Sequence, residues 1–169
     1  MPEHFAPDAD ALINIHRHFP EELELLHQLA RHGRLHLVGG VYREILRGTD
    51  RLRVALEGWV QAGWGAVEVD REEALRDAYA RIELTYGRSV RVGKQVYQGF
   101  WTSPAGRRAA DGQLVAAAKV RRWTVASDDK VVRAACLLED IPCVHWQEFL
   151  RRVRPPTPIP LALDTSPEG

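Results

Sequence analysis

Long apolar runs are missing from the 169-residue sequence, and so is a secretory signal. No stretch approaches the roughly 18–20 apolar residues that a membrane-spanning helix needs. The opening Met-Pro-Glu-His lacks the basic and apolar segments of a signal peptide. We therefore expect a cytoplasmic protein with no membrane partner.

Cysteine is scarce, with Cys136 and Cys143 as the only two in the chain. Neither has His or Cys neighbours at the spacing of a zinc motif, and two cysteines do not make the disulfide framework of a small secreted domain. We expect both to be reduced residues of the core.

Net charge is also absent, because 23 Lys and Arg balance 23 Asp and Glu. The balance hides an asymmetry: residues 1–87 hold 10 basic and 15 acidic residues, whereas residues 88–154 hold 13 and 6. A basic half can face a polyanion such as RNA. A merely solvated surface is the other interpretation, and the charges alone do not decide between them.

Short predicted strands alternate with helical patterns along the chain. The strands fall at residues 35–38, 66–69, 123–126 and 143–146. Apolar residues recur at helical spacing between them, and Gly39-Gly40 is expected to end the first strand. This alternation predicts an α/β fold with a mostly parallel sheet and helices on both faces.

One domain is predicted over residues 1–153, followed by a Pro-rich flexible tail at residues 154–169. Pro155, Pro156 and Pro158 open the tail and prevent regular structure there. Within the domain, residues 87–109 are rich in glycine, aromatic and basic residues and are compatible with both helix and loop.

Two carboxylates are predicted to face the core from helices. Asp111 opens a helix whose apolar residues follow at i+3, i+4 and i+7, which places its side chain on the inward face. Glu44 follows Val41 by three residues, so the two share a face if this segment is helical.

Two further pairs of acids lie at the ends of predicted elements, one at the start of the first ordered segment and one after a strand. Asp8 and Asp10 come directly before an apolar pair. Asp128 and Asp129 follow a predicted strand, and open α/β sheets place their ligand crevices at the carboxyl ends of strands. Taken singly, each acid could equally be a turn residue, a helix cap or the partner of an arginine.

Inward-facing carboxylates are costly unless a donor or a cation compensates them, and several together raise one another's pKa. Mg²⁺ takes oxygen ligands and relieves this repulsion. A bound divalent ion also lowers the pKa of a water ligand and stabilises charge on a phosphodiester. Metal-assisted phosphodiester hydrolysis is therefore the reaction class that the acids favour.

Four segments, in order, resemble the motifs of the PIN-domain family. The first, at residues 8–13, is an aspartate, a small polar position and aliphatic residues, and the second, at residues 41–45, runs from valine through glutamate to an aliphatic residue. In the third, at residues 110–118, an aspartate opens an alanine-rich helix. The fourth, at residues 127–129, is a hydroxyl residue followed by acids. The agreement in order and context extends from about residue 5 to residue 153.

The resemblance implies a three-layer α/β/α sandwich with an acidic pocket that binds Mg²⁺ or Mn²⁺ and cleaves RNA endonucleolytically. On this alignment the catalytic acids are Asp8, Glu44, Asp111 and Asp129, with Asp128 as the alternative fourth acid. The expected metal ligands are Asp8, Asp10, Asp111 and Asp129 or Asp128. Many bacterial members are VapC-like toxins, so the resemblance also implies an antitoxin partner and a homodimer.

Three departures from the family pattern bear on the pocket. Asp10 stands where Asn, Ser or Thr is usual and adds an acid. Ser127 stands where threonine is commoner. Pro7 directly precedes Asp8 and removes a backbone donor from the strand expected before that residue. We expect these changes to affect the metal affinity more than the fold.

Two other functions fit parts of the sequence. In a phosphatase of the haloacid-dehalogenase kind, Asp8 and Asp10 would be the nucleophile and the acid, but Glu44 would have no role. A catalytically silent PIN-like module for RNA binding or scaffolding would not need the four motif acids. Hydrolysis of RNA, of para-nitrophenyl phosphate or of neither separates the three functions.

A basic surface for RNA is expected beside the acids. Its candidate residues are Arg107, Arg108, Arg121 and Arg122, which could hold the RNA backbone, and Tyr97 and Trp101, which could stack a base. The alternative is that the arginines are solvated and the aromatic residues belong to the core.

Overall fold

The structure, a computed structural model, describes residues 2–87, 89–98 and 109–155. Arg107, Arg108 and Trp101, which the sequence analysis assigned to RNA binding, lie outside the described residues. So does most of the proline-rich tail, from residue 156 onward.

A parallel sheet forms the centre of the fold. Its strands are β1 (Phe5–Pro7), β2 (Leu37–Val38), β3 (Ala66–Val67), β6 (Thr124–Ala126) and β7 (Cys143–Val144). β1, β6 and β7 pair in that order, and β2 pairs with β3. A parallel bridge between Phe5 and Leu35 joins the two groups of strands, so β1 lies in the middle of the sheet. A separate antiparallel hairpin, β4 (Ser89–Val92) and β5 (Gln95–Gln98), falls in the segment that the sequence left undecided.

Helices cover the sheet and give the three-layer α/β/α sandwich that the sequence predicts. They are α1 (Ala9–His18), α2 (Leu23–Arg31), α3 (Gly39–Ile45), α4 (Arg51–Gln61), α5 (Glu73–Tyr86), α6 (Ala109–Arg121), α7 (Lys130–Leu138) and α8 (Trp146–Val153), with a 3-10 turn at Pro20–Glu22. In the described part of the chain, no helix is both long and apolar enough to cross a membrane.

The first helix, α1, was not identified from the sequence. It begins directly after β1 because the Asp8 side chain caps it, with Oδ1 accepting from the Ala11 amide at 2.7 Å. On the inner face of α1, Leu12 and Ile15 are completely buried. The tight junction of β1 and α1 places Asp8 at the carboxyl edge of the sheet.

Gly40 allows α3 to pack directly on α6. Gly39-Gly40 ends β2 as expected, and the same two glycines open α3. A Cβ on Gly40 would lie 2.7 Å from the Cα of Ala110, and the Gly40 amide donates to Gln113 Oε1 at 2.8 Å. The helices that carry Glu44 and Asp111 are therefore in close contact.

This close approach can be tested with two alanine substitutions. Gly40→Ala is expected to lower the free energy of unfolding by about 2–3 kcal/mol, because backbone atoms of α6 must move to admit the methyl group. Gly58→Ala in α4 is the matched control, since a Cβ there meets nothing within 4 Å. It is expected to raise stability by about 0.5–1 kcal/mol through helix propensity. Urea denaturation of both variants measures the difference, and equal stabilities would contradict the α3–α6 packing.

Candidate acidic site at the carboxyl edge of the sheet

Asp8 is a buried carboxylate held between two strands and a helix. Its amide donates to the Ala126 carbonyl of β6 at 3.0 Å. Its Oδ1 accepts from the Ala11 amide, and its Oδ2 accepts from the hydroxyl of Ser127. Only 5% of Asp8 is exposed. The orientation of the carboxylate is therefore fixed from both sides.

Ser127 connects Asp8 to the acid that follows β6. The Ser127 hydroxyl, which is fully buried, donates to Asp8 and accepts from the Asp129 amide at 3.1 Å. Asp129 in turn caps α7, with its Oδ1 accepting from the amides of Val131 and Val132 at 2.8 and 3.3 Å. The residue that caps this helix is thus Asp129.

The electrostatic environment of Asp8 is unfavourable for a negative charge. Burial raises its pKa to about 6, and the negative charges of Asp10 and Asp129 add to this effect. The hydrogen bonds from Ser127 and Ala11 lower the pKa but do not outweigh burial. Within the described ranges, no positive charge contributes to the pKa of Asp8.

Glu44 belongs to the same electrostatic group through Asp10. Partial burial raises the pKa of Glu44, Asp10 raises it further, and Arg47 lowers it. Asp10 itself is exposed in the first turn of α1. Because it raises the pKa of both Asp8 and Glu44, Asp10 lies near both acids. Arg47 was missed in the sequence analysis, although its i+3 spacing from Glu44 was the available signal.

Asp111 is placed at the same edge of the sheet by the direction of α6. The helix packs on β6 and ends just before that strand begins, with the Trp123 amide donating to the Ala118 carbonyl at 3.1 Å. A helix that returns through such a tight turn runs antiparallel to its strand, so the start of α6 lies at the carboxyl edge. Asp111, in the first turn, is partly exposed.

Asp128 points to a different partner. Its Oδ2 lies 2.7 Å from His145 Nε2. His145 Nδ1 accepts from the Gln147 amide at 3.1 Å, so Nε2 carries the hydrogen that Asp128 receives. Between the two candidates for the fourth acid, the hydrogen bonds connect Asp129 to the Ser127–Asp8 pair and connect Asp128 to His145.

Arg121 and Arg122 lie at the opposite edge of the sheet from the acids. Arg121 is the last residue of α6 and Arg122 follows it, about 15 Å along the helix from Asp111 by the helical rise. Arg121 forms an ion pair with Glu72, and Arg122 adopts a left-handed conformation with φ 59°. The two arginines therefore do not lie next to the acids, and their role in holding the RNA backbone stays a prediction.

The acids suit a hard divalent cation in their chemistry. Their donors are carboxylate oxygens, which Mg²⁺ and Mn²⁺ take, and the oxygens of Asp8 retain lone pairs beyond their hydrogen bonds. Among the described residues, no group of three or more His, Cys, Asp or Glu side chains is arranged to hold a metal ion. Coordination would therefore need the exposed side chains of Asp10 or Glu44 to turn inward.

The comparisons with known proteins give a family and no activity. A sequence model described as "Domain of unknown function (DUF4411)" matches residues 5–155. The chain belongs to the DUF4411 family. The match covers every acid of the site, from Asp8 to Asp129, so the DUF4411 domain includes the whole carboxyl edge of the sheet. No curated protein and no solved structure matches the chain.

Proposed function

We propose that the chain is a metal-dependent endoribonuclease of the PIN-domain type, which hydrolyses RNA phosphodiester bonds with Mg²⁺ or Mn²⁺. The observation that carries this proposal is the buried Asp8 carboxylate, which the Ser127 hydroxyl connects to the Asp129 backbone. Burial raises the pKa of Asp8 to about 6, although two hydrogen bonds stabilise its charge. A buried acid flanked by Asp10 and Asp129 is the arrangement that a divalent cation would relieve.

The residues that would hold the ion are Asp8, Asp129 and Asp111, with Asp10 beside them. When bound, the metal would supply a water of lowered pKa and would neutralise charge on the phosphate. Ser127 keeps the Asp8 carboxylate oriented, and it ties the same carboxylate to the Asp129 backbone. Asp8 and Asp129 are thus held in fixed relative positions before any ion binds.

Glu44 differs from the other acids in being exposed while its pKa is raised. A carboxylate with a raised pKa at the rim of a site is suited to take a proton from an attacking water. Arg47, whose charge acts on Glu44, places a cation at the same rim, where an RNA phosphate would lie. The position of Glu44 therefore supports the role of general base.

A narrower form of the proposal is that the protein is the toxin of a toxin–antitoxin pair and a homodimer. It rests on the resemblance to PIN-domain toxins. Growth arrest on expression of the intact chain, relieved by a protein encoded beside it, would support the toxin role. Sedimentation of the purified protein would establish the oligomeric state.

The proposed activity can be tested with the purified full chain and a fluorescently labelled single-stranded RNA. We expect internal cleavage with Mn²⁺ or Mg²⁺ and none with a chelator. Single-stranded DNA of the same sequence and para-nitrophenyl phosphate serve as competing substrates. Turnover of the phosphate ester without RNA cleavage would instead support the phosphatase, and turnover of neither would support the binding module.

Two neighbouring acids provide a sharper version of this assay. Asp129→Asn keeps a good helix cap for α7 but removes a charge from the Ser127–Asp8 unit, so cleavage should fall roughly a hundredfold. Asp128→Asn removes the partner of His145 and should change cleavage by less than about threefold. The reverse order of effects would make Asp128 the fourth acid and would contradict the assignment from the hydrogen bonds.

A further inference from the structure

The two cysteines meet behind the acidic site. Cys136 is fully buried in α7, and Cys143 is partly exposed in β7. The turn that joins these elements is closed by the Ile141 amide, which donates to the Cys136 carbonyl at 2.8 Å. This turn brings the two thiols within hydrogen-bonding reach of one another, and both are free.

The two thiols differ in accessibility. Cys143 lines a cavity of about 430 Å³ together with Lys130 and Arg133, so a small molecule in the cavity would contact Cys143 beside two cations. Its Sγ also lies 4.0 Å from the Ser127 carbonyl oxygen. Cys136 does not line this cavity. A reachable thiol in electropositive surroundings next to a buried thiol is the arrangement of an attacking and a resolving cysteine.

We propose that Cys143 and Cys136 are a peroxide-reactive dithiol, in which Cys143 attacks hydrogen peroxide and Cys136 resolves the product into an intramolecular disulfide. The proposal is independent of the nuclease assignment. It concerns a site of oxidation on the opposite side of Ser127 from Asp8.

The chemistry proceeds in two balanced steps. The Cys143 thiolate attacks one oxygen of hydrogen peroxide, the O–O bond breaks, and the departing hydroxide takes a proton to leave as water. Cys143 is then a sulfenic acid, with sulfur oxidised and peroxide reduced. The Cys136 sulfur attacks the Cys143 sulfur, the S–O bond breaks, and a second water leaves with the proton of the Cys136 thiol. Two thiols and one peroxide thus give one disulfide and two waters.

The electrostatics agree with this division of roles. The pKa of Cys143 is lowered, first by the hydrogen bond that it receives from Cys136 and then by Arg133. The pKa of Cys136 is raised by the same hydrogen bond and by burial. Burial, Asp8 and Asp128 oppose the lowering at Cys143. Of the two thiols, Cys143 is thus the one that ionises first, and Cys136 keeps its proton until the second step.

The test uses the reduced full chain exposed to a small excess of hydrogen peroxide at neutral pH. Intact-mass spectrometry should show the loss of two hydrogen atoms, and both thiols should become unreactive to an alkylating reagent under denaturing conditions. Dithiothreitol should restore both. Thiols that survive this exposure, or a disulfide between two chains on a non-reducing gel, would overturn the proposal.

Two serine variants separate the roles of the cysteines. In Cys136→Ser, Cys143 should react at the wild-type rate but accumulate as a sulfenic acid that dimedone traps. In Cys143→Ser, the remaining thiol should react at least roughly tenfold more slowly, because it is buried. Circular dichroism confirms that each variant is folded. If Cys136 were oxidised equally fast in the absence of Cys143, the division of roles would be wrong.

Discussion

Asp8→Asn is expected to lower metal-dependent RNA cleavage roughly a thousandfold or more, equivalent to about 4 kcal/mol of activation free energy. Asparagine can still cap α1, so the fold should persist, but the charge at the centre of the acidic site is lost. The measurement is the single-turnover cleavage rate at saturating Mn²⁺, together with the Mn²⁺ affinity from calorimetry.

Asp77→Asn is the matched control for this substitution. Asp77 is an exposed acid on α5 and has no described contact with the site, so the same change of charge should leave cleavage and metal affinity within about twofold. If Asp8→Asn kept wild-type cleavage and affinity, the acidic site would not be centred on Asp8. If both variants lost activity equally, net charge rather than a metal ligand would be responsible.

The metal-free protein is expected to lose stability as the pH rises from about 4 to about 6, by about 3 kcal/mol through Asp8 alone. The sign follows from the raised pKa, because the folded protein binds this proton more tightly than the unfolded chain does. The stability that the Asp8 proton contributes is fully present below the ordinary aspartate pKa of 3.8 and is lost as the pH rises through about 6.

The contribution of His36 to stability changes with pH in the opposite direction and must be separated from that of Asp8. Burial, with the charges of His4 and Arg121, lowers the pKa of His36 to about 4, so its contribution is lost as the pH falls from 6.5 to 4. The difference between the unfolding free energies of wild type and Asp8→Asn cancels the effect of His36. Urea denaturation from pH 4 to pH 7 should show Asp8→Asn gaining relative stability as the pH rises.

Added Mn²⁺ provides the control for this experiment. An ion that binds only the folded wild type raises its stability and should remove the advantage of Asp8→Asn at neutral pH. If the two metal-free proteins had parallel stability curves over the whole pH range, the charge of Asp8 would be compensated in the fold. The electrostatic argument for a cation site would then fail.

Much of the fold could be predicted from periodicity, because its strands and helices follow local signals. The strands at β2, β3, β6 and β7 and the helix α6 were found within a few residues of their observed bounds. The helix α1 was missed because its apolar residues follow immediately after a strand, with Asp8 as the only boundary. Local patterns do not show to which of two adjacent elements such a residue belongs.

Contacts between distant elements could not be predicted. Gly39-Gly40 looks like an interruption in the sequence, and only the approach of α6 to Gly40 explains a glycine inside this helix. In the same way, spacing alone offers both Asp128 and Asp129, and only the family resemblance favours Asp129. The hydrogen bonds of Ser127 and His145 distinguish them, and these depend on side-chain directions that spacing does not fix.

The position of β1 in the middle of the sheet determines when the acidic site can assemble. Asp8 and Ser127 are 119 residues apart in sequence, and β1 pairs with β6 along its whole length. Loops of this size close late in folding, since their entropy must be lost before the contacts form. During synthesis, the amino-terminal helices can form early, but the carboxylates converge only after β6 has left the ribosome. For most of its translation, the nascent chain therefore contains residues of the site that cannot yet come together.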